Sequence, residues 1–203
     1  MKSRHSQAES LKLIAFLGNP GSRYEKTRHN VGRMLLSRID DTTPSLQNTR
    51  EGGTLTVTPW KEKFHGRFCR AGEVVLLVPD TYMNESGRSV QAALSFFGIS
   101  GPETLIVHDD LETSFGTVEM TFGGGHRGNN GVRSITQVCG QPDFWRLRIG
   151  IGRPPGNRKP GDWVLERFSR DEEARLPEVL DLAFAFVTEA LVNRIVTKKK
   201  SMI

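Results

Sequence analysis

The run LKLIAFLGNPGSRYEKTRHNVGRMLLSRI, residues 11–39, decides the architecture. Its first seven residues are almost continuously apolar, as in a short buried strand. Gly18, Asn19, Pro20 and Gly21 then form a dense turn signal. Beyond Asn30, the apolar residues Val31, Met34, Leu35 and Ile39 return at helical spacing. The run is therefore a strand–loop–helix unit whose loop is rich in polar side chains.

Working outward, residues 41–53 are polar and turn-rich, the composition of a surface loop. Residues 54–58, 64–70 and 74–78 read as strands. Asn84 is placed to cap a helix that carries Val90, Ala93, Leu94 and Phe97 and stops at Gly98. Residues 104–108 form another buried strand, and 116–122 alternate weakly. The glycine-rich run 123–131 follows, then a short helix to about Cys139, and a strand at 147–151. Ser169 and Glu172 have the spacing of a capping box for a C-terminal helix, which Pro177 is expected to kink or divide. This alternation predicts an α/β fold: a single domain with a twisted mixed, largely parallel sheet flanked by helices. The domain is expected over residues 12–197, between a flexible tail at 1–11 and a basic tail at 198–203.

Composition agrees with one domain. The chain has 203 residues, 36% of them hydrophobic, and a formal charge of +5. That excess permits a polyanionic partner without demanding one. Two cysteines, Cys69 and Cys139, make neither a disulfide framework nor a zinc ribbon, which points to a reducing compartment. The longest apolar stretch, 180–192, is interrupted by Asp181 and Glu189 and is too short to span a bilayer. The first ten residues lack the apolar core of a secretory signal. A cytoplasmic location is expected, with the mitochondrial matrix as the alternative, and a monomer.

In open α/β sheets, sites gather beyond the carboxyl ends of strands. Four loops there carry unusual polar residues: 18–29, 79–87, 108–112 and 123–131. The last contains Gly123-x-Gly125-x-x-Gly128, a dinucleotide-type pattern, but the fingerprint belongs in the first βα turn of a domain and this one lies late in the chain. What remains is a loop of exposed N–H groups at a helix start, suited to a phosphate or a carbonyl oxygen, or merely a tight turn. His108, Asp109, Asp110 and His126 lack metal-ligand spacing, so a carboxylate that accepts a hydrogen bond from a histidine is favoured over a metal site. His29, at a helix start, should feel the positive end of the dipole, which lowers its pKa and favours the neutral base. Asn19, Asn30, Asn84, Asn129 and Asn130 all fall in the four loops, and their uncharged amides suit recognition of a peptide or ester carbonyl. No Gly-x-Ser-x-Gly elbow is present, so a histidine-activated water fits better than a covalent nucleophile. Basic residues concentrate in the last third of the chain, either a solvated face or a phosphate-backbone contact surface.

Five runs, taken in order, resemble the bacterial-type peptidyl-tRNA hydrolase family in an organellar-looking form: LGNPGSRYEKTRHNVG (17–32), PDTYMNESG (79–87), VHDDLE (107–112), GGGHRGNNG (123–131) and RLRIGIGRP (146–154). The resemblance implies hydrolysis of the ester joining a peptide to the 3′ end of a tRNA, by a single α/β domain needing no metal or cofactor. It implies that His29 is the general base, that Asp109 orients it, and that Asn19 holds the peptide main chain. Asn84 and Asn130 would contact the peptide and the tRNA end, with Asn30 in the same binding set. Tyr24, Tyr82 and Met83 would wall the cleft. Arg148 would grip the tRNA 5′ phosphate. The partner is peptidyl-tRNA, with no membrane span. A non-catalytic RNA-binding relative acting in RNA processing or splicing is the alternative. Two positions depart from the family pattern. Asn129 stands where a histidine is common, and Glu119 stands where a basic residue pairs with the arginine at 148, so Arg127 or Arg133 is expected to compensate.

Overall fold

The computed structural model describes residues 10–41, 56–193 and 198–203. The expected tail at 1–11 and loop at 41–53 lie largely outside the described residues. Eight strands form one sheet: β1 (Leu13–Phe16), β2 (Lys61–Lys63), β3 (Gly66–Ala71), β4 (Val74–Pro79), β5 (Thr104–Asp110), β6 (Thr117–Phe122), β7 (Trp145–Gly150) and β8 (Lys199–Met202). Their order across the sheet is β2-β3-β4-β1-β5-β7-β6-β8.

Only the central four strands, β4-β1-β5-β7, pair in parallel. The pairings toward both edges are antiparallel. The sheet is thus mixed, as expected, but not largely parallel. The reason is local: tight turns join β2 to β3 and β3 to β4, and such turns can only make antiparallel neighbours. Strands β1 and β4 and the centre of β5, Leu105 to Val107, are apolar and buried on both faces, as strands with helices on either side must be.

The helices are α1 (Val31–Met34), α2 (Leu36–Asp41), α3 (Ser86–Phe97), α4 (Asn130–Cys139), α5 (Pro160–Leu165) and α6 (Arg170–Asn193). On one face, Val90 and Ala93 of α3 and Val132 and Ile135 of α4 pack with Leu13, Ala15 and Ile106. On the other, Val179, Ala183, Phe186 and Val187 of α6 pack with Val118, Met120, Leu147 and Ile149. Helix α3 ends at Gly98, φ 64°, as its sequence requires. Helix α6 runs unbroken through Pro177 rather than dividing there.

Several local expectations change. Residues 64–65 belong to a turn, with Phe64 and His65 at φ 60° and 52°, and β3 begins at Gly66. Of 54–58, the described part holds only an isolated bridge from Val57 to Ala71. Asn84 does not cap α3. It lies inside a 3-10 turn, Met83–Glu85, and α3 starts after Glu85 without a side-chain cap. The basic tail is an edge strand: Lys200 sits opposite Glu119 in register.

The glycine-rich loop departs most from expectation. Strand β6 runs antiparallel to β7, and its last residue, Phe122, pairs with Trp145 at the start of β7. The loop therefore leaves the sheet at the edge opposite the other three loops. It climbs back over the β7 arginines, where Arg146 Nη1 donates to Gly125 O at 2.9 Å, and delivers Asn129 to the far end. Arg146 is fully buried beneath it.

Candidate active site

His29 lies in a 3-10 turn, Arg28–Asn30, that leads into α1. The turn is pressed against the sheet because residue 32 is glycine: a Cβ there would stand 2.7 Å from Val107 O and 3.0 Å from Leu17 O. That approach places His29 beside the end of β5. His29 Nδ1 lies 2.8 Å from Asp109 Oδ1, and both residues are buried. An ionised Asp109 only accepts, so Nδ1 carries the proton and Nε2 keeps its lone pair. Nε2 has no hydrogen-bond partner among the described residues.

The helix-dipole expectation for His29 is reversed. Burial presses against the charged ring, but the charge of Asp109 and its hydrogen bond together outweigh burial, and the His29 pKa is raised above the ordinary imidazole value. A single 3-10 turn supplies little dipole to set against a carboxylate in contact.

Asn129 completes the pair. Its Nδ2 donates to Asp109 Oδ1 at 2.8 Å and to Asp109 O at 3.1 Å. Its Oδ1 accepts from the N–H groups of Gly131 and Val132 at 3.0 and 3.1 Å, capping α4. The sequence reading treats Asn129 as a departure and leaves it out of the site. The structure places its amide on Asp109 and makes the same side chain the cap of α4. An asparagine between a glycine run and the start of a helix was the available signal.

Asn19 belongs to a second constellation. Asn19 N donates to Asn30 Oδ1 at 2.8 Å, and Asn30 Nδ2 donates to Asn19 O at 2.9 Å. Asn30 is thus spent on holding Asn19, and the structure does not present it as a substrate contact. Met83 N donates to Asn19 Oδ1 at 2.8 Å, which turns the Asn19 Nδ2 donor outward, without a partner among the described residues. Buried Met83 serves through its backbone as well as its side chain. A Cβ on Gly131 would come within 2.5 Å of its sulfur. Tyr24 and Tyr82 meet edge to face at 6.4 Å, with Tyr82 half exposed. Asn84 is exposed. Asn130 lines the same cleft as His29, and its Oδ1 accepts from Arg133.

That cleft is lined by His29, Asp109, Asn129 and Arg127, and by Pro160, Gly161 and Val164 of α5. The sequence carries no motif for this second wall. Arg148 is not at the cleft. It is 5% exposed, with Nε 3.6 Å from Asp110 Oδ2 and Nη1 3.6 Å from Glu119 Oε2. Arg127, whose side chain is 45% exposed, reaches Asp110 at 3.5 Å. His108 also lines the cleft, its Nδ1 donating to Asp109 O at 2.6 Å, and burial pushes its pKa down to about 4. Among the described residues, no group of three or more His, Cys, Asp or Glu side chains is placed to hold a metal ion. No helix there is long and apolar enough to cross a membrane.

Residues 13–203 match the family model described as peptidyl-tRNA hydrolase. The chain is 42% identical over 183 residues to a peptidyl-tRNA hydrolase of Sorangium cellulosum, covering 87% of this chain and 77% of that one. It is 44% identical over 177 residues to that of Treponema pallidum, covering 83% and 81%. A crystal structure of peptidyl-tRNA hydrolase from Acinetobacter baumannii superposes with a TM-score of 0.77 at 34% identity, covering 96% of this chain and 98% of that one.

Proposed function

This chain belongs to the peptidyl-tRNA hydrolase family and is an ester hydrolase acting on peptidyl-tRNA, and we propose that His29 is its general base. The observation that carries this assignment is the contact between His29 Nδ1 and Asp109 Oδ1, which leaves Nε2 as the basic atom. In this reading Nε2 takes a proton from water as the water oxygen bonds to the ester carbonyl carbon. The imidazolium is stabilised by Asp109, as in other His–carboxylate pairs. The tetrahedral adduct then expels the 3′ oxygen of the tRNA ribose, which receives the proton back from Nε2.

The outward Nδ2 of Asn19 donates to a carbonyl of the peptide, and the edge-to-face Tyr24–Tyr82 pair supplies an aromatic corner for the tRNA end, with Asn84 and Asn130 at its margins. Arg127, exposed at the cleft, is the guanidinium that meets phosphate. Arg148, held between Asp110 and Glu119, braces it from beneath. Neither Cys69 nor Cys139 is held in a disulfide, which supports the cytoplasm or an organellar matrix as the compartment. The protein acts as a monomer.

The test is release of peptide from N-acyl-aminoacyl-tRNA in EDTA, wild type beside His29→Ala. A loss of about 10²- to 10⁴-fold in kcat is expected. Tight tRNA binding without turnover in either protein would replace this reading with an RNA-binding one.

A further inference from the structure

A His–carboxylate pair works only while the ring keeps one orientation, and the turn that carries His29 has no side-chain cap of its own. Asp109 holds the ring from the sheet. The residue before it, Arg28, is held from the other side. Its guanidinium makes a two-pronged contact with Glu172, Nη1 to Oε1 at 2.8 Å and Nη2 to Oε2 at 2.5 Å. It lies 3.7 Å from the Trp163 ring centroid and 4.9 Å from that of Phe168. The backbone follows: Arg28 N donates to Glu166 O at 2.9 Å, and Thr27 bridges to Arg167.

Each partner is itself fixed. Ser169 N donates to Glu172 Oε2 at 2.8 Å and Ser169 Oγ accepts from Glu172 N at 3.3 Å, the capping box of α6. Trp163 Nε1 donates to Gly152 O at 2.9 Å. The next residue, Val164, faces the cleft. Arg28 is 1% exposed and so does not meet substrate.

From these contacts we infer that Arg28 is a positioning residue: through its flat fork on Glu172 and its stacking on Trp163, it sets His29 against Asp109 and fixes the α5 wall of the cleft. This role rests on the general-base reading of His29. Planarity and two parallel donors are what the site uses, and a lysine supplies neither.

The experiment is the pH dependence of kcat and of KM for the full chain, with Arg28→Lys, the double variant Arg28→Met/Glu172→Gln, and His29→Ala as control. The double variant removes both charges of the pair, so no buried guanidinium is left without its partner, while Gln keeps the capping box; it guards against a variant that fails to fold. Near-ultraviolet circular dichroism reports folding. The charged or titratable groups around His29 are Asp109, His108 and Asp110 from β5, His126 and Arg127 from the glycine-rich loop, and the Arg28–Glu172 pair. None of the first five is altered, and the double variant leaves the net charge of the pair at zero.

A 1 Å misplacement of a reacting group costs about 10²-fold, so a fall in kcat of roughly 10- to 100-fold is expected in both variants, with KM within about twofold. The acid limb of kcat should also move to lower pH, because a loosened Asp109 contact supports the imidazolium less. Unchanged kcat in folded Arg28→Lys or in the folded double variant overturns the inference. So does a loss of kcat with the limb unmoved, which would leave Arg28 a role in stability alone. If His29→Ala retains turnover, the general-base reading itself fails. If His29→Ala is inactive while the Arg28 variants behave as wild type, only the positioning role fails.

Discussion

Replacing Asn129 separates two tasks that one amide performs. Its Oδ1 accepts two N–H groups at the start of α4, and its Nδ2 donates to the carboxylate that orients His29. Asn129→Ser retains a helix-capping oxygen but is too short to reach Asp109. Its cost is the loss of a buried hydrogen bond to a charged group, about 1.5–3 kcal/mol. Asn129→Ala loses the cap as well, a further cost of about 1 kcal/mol. The assay is urea unfolding at pH 7.5 of wild type and both variants, with kcat measured in parallel. The expected order is wild type, then Ser, then Ala, with kcat reduced equally in the two variants because both lack the donor to Asp109. If Asn129→Ser matches wild type in stability and kcat, the contact to Asp109 carries nothing. If Ser and Ala are equally unstable, the cap carries nothing.

Three further outcomes follow from the same geometry. The acid limb of kcat should lie above pH ~6.5 in wild type, since the proposed base His29 would act in its neutral form and its pKa is raised; Asp109→Asn should lower the limb and reduce kcat by about 10²- to 10⁴-fold, and a limb unmoved in Asp109→Asn would contradict the pairing. His108 binds its proton more weakly in the fold, at about 4, than in the unfolded chain, so between pH ~6.5 and about 4 the unfolded state binds more protons and stability falls on acidification, by about 3 kcal/mol in all. Over the lower part of that window His29 is protonated in both states and adds little slope, and His108→Asn should flatten the unfolding free energy there. Asn19→Asp keeps the acceptor for Met83 N–H but deletes the outward donor, so kcat/KM for N-acyl-aminoacyl-tRNA should fall about tenfold, and an unchanged value would contradict the role of that donor.

What was legible in the sequence was what neighbours along the chain decide. The apolar run before Gly18, the stop at Gly98 and the Ser169–Glu172 box are local patterns, and the structure realises each. The β2 strand, Lys-Glu-Lys, has no apolar alternation because it lies exposed at an edge, and β8 was likewise hidden in a basic stretch. Both are strands only because a neighbour supplies the ladder. The direction of β6 was invisible for the same reason, and with it the route of the glycine-rich loop. Motif resemblance singled out His29, Asp109 and Asn19, and the structure brings the first two into contact. The burial of Arg148, the dual task of Asn129 and the engagement of Asn30 with Asn19 depend on contacts that no spacing encodes.

The contacts that build the cleft join residues far apart in the chain: 64 positions from Asn19 to Met83, 80 from His29 to Asp109, and 144 from Arg28 to Glu172. Each closes a long loop, and loop closure is repaid only when the sheet between the two ends has formed. No early folding intermediate built from local helices and hairpins can hold the His29–Asp109 pair, so turnover should return on refolding only in the slowest phase that forms native sheet. During unfolding, the same topology makes loss of turnover coincide with collapse of the parallel core rather than precede it.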